Sequence, residues 1–270
     1  MKVTACAKIN LGLNVVARRA DGYHDLETVF YPVGIHDEIS VEPIDGAVPR
    51  AELTVDGGIP VGDNDNNLVV RAYRLVAEHH RLPPVRIRLQ KRIPVQAGMG
   101  GGSADGAFTI RALNELFSLG LSSDEMRALA VQLGADCPFF IDAVPAYAEG
   151  VGERLEPMEL DLSSRRLVVV KPPVAVSTRE AFAGITPRRP VRNCRDIVGE
   201  PMETWRHQLV NDFEEGIFRL HPELGAIKQK LYDIGAVYAA MSGSGSALFG
   251  FFNVAPQLSN AFNDCQKWII

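Results

Sequence analysis

The chain has 270 residues, 46% hydrophobic and 23% charged, with a formal net charge of −5. This is globular composition, with room for one large domain or two modest ones. The acidic balance and the lack of a basic face exclude a nucleic-acid binder.

Four scattered cysteines, Cys6, Cys137, Cys194 and Cys265, form no Cys-x-x-Cys pair. A zinc or disulfide framework is therefore not expected, and a reducing cytoplasm is. The N-terminus carries Lys8 and Asn10 among its apolar residues and lacks a signal-peptide profile. No apolar run is long enough to span a bilayer, so no membrane partner is expected.

Ala7, Ile9, Leu11, Leu13 and Val15 alternate with Lys8, Asn10, Gly12 and Asn14, which predicts a strand with one core face and one polar face. Arg19-Ala20-Asp21-Gly22 reads as a hairpin turn. Glu27–Val33 and Glu38–Glu42 follow as two strands, and residues 46–67 as a loop-rich stretch. The Asn64-Asp65-Asn66-Asn67 cluster at its end resembles a helix N-cap leading into Leu68, Ala72, Leu75 and Val76. Val85–Leu89 alternates with Arg86 and Arg88, as a strand does.

Next comes Pro94-Val95-Gln96-Ala97-Gly98-Met99-Gly100-Gly101-Gly102-Ser103-Ala104-Asp105, ahead of a helical stripe at Ala107, Ile110, Leu113 and Phe117. Glycine has no Cβ to hold a ligand away, so the loop's N–H groups can converge on an anion at the helix start. It is not a Walker A loop, because Gly106 is followed by Ala107. It is not a Rossmann fingerprint either, because Ser103 or Asp105 stands where the third glycine belongs. A flexible turn without a ligand is the other reading.

Ser122 and Glu125 form a capping box for the next helix, which Gly134 stops. Asp136 follows at once, ahead of Cys137-Pro138-Phe139-Phe140. The register changes near residues 157–165, which places a domain boundary between 1–156 and 157–270. Leu167–Val170 predicts a buried strand, Ser177 caps a short helix over Thr178–Ala183, and residues 188–201 read as a loop. Pro222 opens a helix running to about Ile234, closed by Gly235. Ala236–Ala240 and Ala247–Phe252 read as strands around a second glycine–serine turn, Met241-Ser242-Gly243-Ser244-Gly245-Ser246. The order suits an α+β sandwich with an antiparallel sheet.

Three separated blocks coincide: Ala7-Lys8-Ile9-Asn10-Leu11-Gly12-Leu13, the glycine loop, and Met241–Ser246. Together they resemble the GHMP small-molecule kinases, named for galactose, homoserine, mevalonate and phosphomevalonate kinases. The stretches Asp21-Gly22-Tyr23-His24-Asp25-Leu26-Glu27-Thr28 and Gly134-Ala135-Asp136-Cys137-Pro138-Phe139-Phe140 narrow the likeness to the branch that acts on a cytidyl diphosphate of methylerythritol. The resemblance runs from about residue 5 to 250.

It implies the two-domain GHMP kinase fold, an N-terminal ribosomal protein S5 domain 2-like half and a C-terminal ferredoxin-like α/β sandwich, with a cleft between them. It implies ATP as co-substrate with Mg2+, and transfer of a phosphoryl group to the 2-hydroxyl of the methylerythritol. The products would be the 2-phosphate and ADP, in the non-mevalonate route to isoprenoid precursors. A mevalonate- or homoserine-type GHMP kinase is the alternative, and a non-catalytic ligand-binding relative is another. A monomer or weak homodimer is expected, since no coiled-coil stripe stands out.

By the same resemblance Asp136 is the base, with capping of the segment from Pro138 as its other reading. Lys8 would hold Asp136 ionised and offset charge on the moving phosphoryl group, against the ordinary reading of a solvated strand lysine. The residues from Pro94 to Ala104 would hold the ATP phosphates, and the metal ligands are not named by the sequence. Asn10 would hydrogen-bond the substrate, Tyr23 stack on the cytosine, His24 contact it, and Phe182 supply the opposite face. Plain hairpin or core packing is the other reading for Tyr23 and Phe182. Thr178 would touch the methylerythritol end. Gly243, Ser244 and Gly245 would close over substrate or phosphate, unless they form an ordinary hairpin turn.

Overall fold

The structure, a computed structural model, describes residues 1–58, 64–258 and 262–270; part of the loop-rich stretch read at 46–67 lies outside them. The chain is α+β and divides into two compact units. The first comprises Met1–Lys8, Pro32–Val95 and Gly100–Val144, and the second Ile9–Tyr31, Gln96–Met99 and Pro145–Ile270.

Two long strands, β1 (Lys2–Arg18) and β2 (His24–Pro43), pair with one another and contribute to both units. The turn between them closes with Gly22 N donating to Arg19 O and Arg19 N to Tyr23 O. Gly22 sits at φ +87°, which glycine accepts without strain. The two strands expected at 27–33 and 38–42 are one continuous β2.

In the first unit the later half of β2 runs antiparallel to β4 (Val85–Gln90), with Ile39 opposite Leu89. β4 in turn runs parallel to β3 (Ala51–Asp56), a strand inside the stretch read as loop. β3 carries Leu53 and Val55 on one face but little of it is buried, so its apolar signal is thin. Asn67 caps α1 (Leu68–His79) by accepting from Val69 N. α2 spans Gly101–Leu116 and starts six residues before Ala107, the first position of its apolar stripe. α3 (Ser123–Leu133) has the full capping box of Ser122 and Glu125, and α4 (Phe139–Asp142) is one short turn. These four helices pack on one another. Gly134 ends α3 in extended backbone, its N–H bonded to Ala130 O, so no left-handed cap is needed there.

In the second unit the earlier half of β2 pairs antiparallel with β5 (Ala146–Gly150), and β5 with β6 (Arg154–Pro157). A separate antiparallel sheet contains β7 (Arg166–Lys171), β8 (Tyr238–Met241), β9 (Leu248–Phe252) and β10 (Gln266–Ile269), in the order β10-β7-β9-β8. α5 spans Thr178–Ala183 under its Ser177–Glu180 capping box. α6 (Cys194–Val198), capped by Asn193, replaces part of the expected 188–201 loop. α7 (Phe213–Leu220) and α8 (Pro222–Asp233) lay Phe213, Ile217, Leu224 and Leu231 against Val168, Val170, Leu248 and Phe252 of the sheet.

Candidate functional site

The apolar face of β1 is buried as its alternation predicts, but the opposite face is covered too. Lys8 is 4% exposed, and Asn10 and Asn14 are buried. An ammonium in such a place needs a counter-charge. Lys8 Nζ lies 3.4 Å from Asp136 Oδ2, whose side chain is 33% exposed. Burial pushes the Lys8 pKa below its ordinary range, and Asp136 works against that shift. The capping role for Asp136 is not realised, because Pro138 holds the N-cap position of α4 and no side chain caps the helix.

The stem of Lys8 runs beside the start of α2. A Cβ added to Gly100 would stand 3.3 Å from Lys8 Cε and 2.7 Å from the Phe140 ring. Gly100 is the N-cap residue, at φ +70°, and no side chain caps the helix. The first intrahelical bond is Ala104 N to Gly100 O at 2.8 Å. The N–H groups of Gly101, Gly102 and Ser103 thus stand at a helix N-terminus, where the dipole favours an anion. Ser103 also lies within hydrogen-bond reach of the Cys137 thiol, whose pKa burial pushes up to about 11.

Three of the four glycines make room for protein, not only for a ligand. A Cβ on Gly98 would land on the carbonyl oxygen of Ser242, and one on Gly101 would meet Ile93 at 2.8 Å. Gly100 is constrained by Phe140 as above. Gly102 alone is unobstructed, since a Cβ there would meet only Leu68, in ordinary contact at 3.8 Å.

Behind α2 lies an ionic cluster that sequence reasoning missed. Lys91 Nζ bridges Asp37 and Asp105, the latter at 2.7 Å, and all three are buried. Asp37 Oδ1 also accepts from the backbone N–H groups of Arg92 at 2.5 Å and Ile93 at 2.8 Å. Burial opposes the Lys91 charge, but two carboxylates outweigh it and its pKa is raised. Burial pushes Asp105 well above the usual carboxylate range, and among the described residues its Oδ1 accepts no hydrogen bond. The available signal was a charged Asp105 inside the small, buried stripe of Ala104, Gly106 and Ala107.

In the second unit Asn10 Nδ2 donates to Thr28 Oγ1 at 3.0 Å, and Thr28 Oγ1 donates to Gly12 O at 2.5 Å. The β8–β9 connection is more than a hairpin turn. Ser242 Oγ donates to Gly98 O at 2.9 Å, and Ser246 N and Ala247 N donate to Gln96 O and Ala97 O at 3.2 Å each. A Cβ on Gly243 would lie 3.1 Å from Gly98 O and 3.3 Å from Asn10 Oδ1. The Gly–Ser turn, residues 96–98 and Asn10 are therefore in mutual contact, while Ser244 is partly exposed.

His24 and Phe182 are brought together: their rings stack at 4.7 Å with 16° between planes, and Phe213 meets Phe182 edge-on. Tyr23 is 66% exposed. Phe182 thus faces His24. Thr178 is exposed at the first position of α5. Pro94, Val95 and Gly100–Ala104 belong to the first unit, and Gln96, Ala97, Gly98 and Met99 to the second.

The family model for the GHMP kinases N terminal domain matches residues 67–148, and that for the GHMP kinases C terminal domain matches residues 191–267. A 4-diphosphocytidyl-2-C-methyl-D-erythritol kinase of Bacteroides thetaiotaomicron is 47% identical over 91% of this chain and 90% of its own. The enzyme of the same description from Parabacteroides distasonis is 44% identical over 97% and 96%. A crystal structure of 4-(cytidine 5'-diphospho)-2C-methyl-D-erythritol kinase covers 100% of this chain and 98% of its own, with a TM-score of 0.81 and 35% identity. A crystal structure of mevalonate kinase covers the same shares with a TM-score of 0.71, but at 13% identity it speaks for the fold alone.

Proposed function

The chain belongs to the GHMP kinase family, and from that premise we infer that it transfers the γ-phosphoryl group of ATP to the 2-hydroxyl of 4-diphosphocytidyl-2-C-methyl-D-erythritol. The relatives named above support this acceptor. The products are the 2-phosphate and ADP, a step of non-mevalonate isoprenoid precursor synthesis.

The observation that carries the chemistry is the buried Lys8 set between Asp136 and the uncapped start of α2. Phosphoryl transfer needs alignment, charge neutralisation and a destination for the hydroxyl proton. Asp136, partly open to solvent, accepts the proton of the 2-hydroxyl. The oxygen then attacks the γ-phosphorus, and ADP leaves with the bridging electrons. Lys8 keeps Asp136 ionised and stabilises the charge spreading over the transferred group. The N–H groups of Gly101, Gly102 and Ser103 orient the phosphates, with Pro94–Gly100 shaping the approach.

Mg2+ bound to the nucleotide supplies further charge neutralisation. Among the described residues no cluster of three or more His, Cys, Asp or Glu side chains could hold a metal. Ser103 Oγ, at the start of α2, is the protein oxygen that would hold the ion beside the phosphates. Asn10 and the turn at Gly243, Ser244 and Gly245 contact the acceptor. Tyr23, with His24 stacked on Phe182, offers aromatic surface to the cytosine, and Thr178 meets the methylerythritol end.

We assign residues 1–156 and 157–270 to the two family domains; the two family models fall on either side of that boundary. A cytoplasmic monomer or weak homodimer completes the reading, and four free thiols suit a reducing compartment.

Asp136→Asn tests the base. Turnover is expected to fall by about 10²-fold or more with ATP binding retained, since general-base assistance is of that order. Turnover within a few-fold of the parent would remove Asp136 from the role.

A further inference from the structure

Residues 209–214 take no part in the chemistry assigned above, yet Asn211 and Glu214 are buried. Asn211 Nδ2 donates to both Met241 O and Gly243 O, at 2.8 Å each, while its Oδ1 accepts from Phe213 N at 3.0 Å. The amide thus uses both of its donors and its acceptor oxygen. Glu214 Oε1 accepts from Met241 N at 2.7 Å, and its Oε2 takes Lys228 Nζ at 2.5 Å. Both backbone polar groups of Met241 are therefore engaged by side chains of one short run.

That run is itself anchored on β1. Leu13 N donates to Val210 O at 2.9 Å, Asp212 N to Leu13 O at 2.8 Å, and Val15 N to Asp212 Oδ2 at 2.8 Å. On its other side the Met241–Ala247 backbone carries residues 96–98 through the Ser242, Ser246 and Ala247 bonds. Gly98 sits so close to Ser242 O that no side chain fits between them. The turn itself holds Gly243 at φ +53° and Gly245 at φ +88°, so its course depends on what fastens it. A loop that binds by backbone N–H groups tolerates little displacement before affinity falls.

We propose that Asn211 and Glu214 are positioning residues for nucleotide binding: they fix the Met241–Gly243 backbone on which Gly98 is seated, and so set the affinity for the ATP phosphates. The inference rests on the assignment of the glycine loop as the phosphate site.

The test compares Asn211→Asp, which removes both donors and keeps the acceptor, with Leu224→Ala, a core change on α8 that removes none of the hydrogen bonds to the turn. KM for ATP, KM for the cytidyl acceptor and Tm are measured for each. For Asn211→Asp, KM for ATP is expected to rise about tenfold, as for a sub-ångström misplacement of binding groups, and KM for the acceptor, which the same turn meets, by no more than about threefold. Leu224→Ala is expected to lower Tm and leave both KM values unchanged. An unchanged KM for ATP in Asn211→Asp overturns the proposal. So does a parallel rise of both KM values, which would mark a merely structural residue.

Should Asn211→Asp fail to fold, Glu214→Leu is read by the same rule, since it removes the acceptor for Met241 N. Gly102→Val separates the underlying reading, because a Cβ there meets nothing of the fold closer than Leu68 at 3.8 Å. If Gly102→Val leaves KM for ATP unchanged, the phosphate-site assignment fails. If Gly102→Val raises it while Asn211→Asp does not, only the positioning role fails.

Discussion

Lys8 is a residue whose burial opposes its own charge. Burial lowers its pKa in the folded chain from the ordinary 10.5, and Asp136 restores only part of the shift. The unfolded chain therefore holds this proton more tightly than the folded one. The group disfavours folding at neutral pH, and the penalty fades as pH rises from the folded value toward 10.5. Lys8→Met is accordingly expected to lose about 10²-fold or more of its turnover with no fall in Tm at pH 7. The parent's stability relative to that variant should improve on going to alkaline pH, while its kcat/KM falls there as Lys8 loses its proton. A Tm several degrees lower in Lys8→Met would instead make the Lys8–Asp136 pair a structural bridge. Alternation placed Lys8 on a polar face, and only the resemblance gave it a partner. Its near-complete burial was not readable from β1, because the groups that cover this face lie far away in the sequence. Asn211 was invisible for a similar reason, since its partners Met241 and Gly243 lie some thirty positions away.

At the scale of elements, the glycine loop answers two demands at once. Gly98 is required by the turn it rests on, and Gly102 by nothing in the fold. Gly98→Ala is expected to destabilise the chain by roughly 1–3 kcal/mol, because it forces a Cβ into backbone at a left-handed φ of +69°. Gly102→Val should keep the parent's Tm within a degree or two, since nothing in the fold opposes it, and lose ATP affinity. Equal Tm losses in the two would contradict this division, and thermal unfolding measures it. Elements with local signals were legible: β1 by its alternation, α1 by the Asn64–Asn67 cluster, α3 by its capping box and α5 by Ser177 as its cap, each of which the structure reproduces. β3, β5, β6 and β10 are short, and their pairing comes from partners distant in sequence. α7 opens at Asp212 without a side-chain cap, so the usual start signal was missing. The first turn of α2 is Gly101-Gly102-Ser103, which no apolar period could announce.

Over the whole molecule, two compact units each carry proposed site residues. The first holds Lys8, Asp136 and the start of α2, and the second holds Asn10, the Gly–Ser turn and the His24–Phe182 stack. The architecture is common to kinases of different acceptors, so the fold alone does not choose the substrate. Under the proposed reading the choice would come from residues such as Tyr23, His24 and Phe182, whose aromatic surface has a use with a cytosine and little with mevalonate or homoserine. The most direct test of this account is ADP release with ATP, Mg2+ and one acceptor at a time: 4-diphosphocytidyl-2-C-methyl-D-erythritol, mevalonate, homoserine or galactose. Turnover with the cytidyl compound and with no other is the expected result. Turnover with another acceptor, or ATP binding without turnover on any of the four, would contradict it.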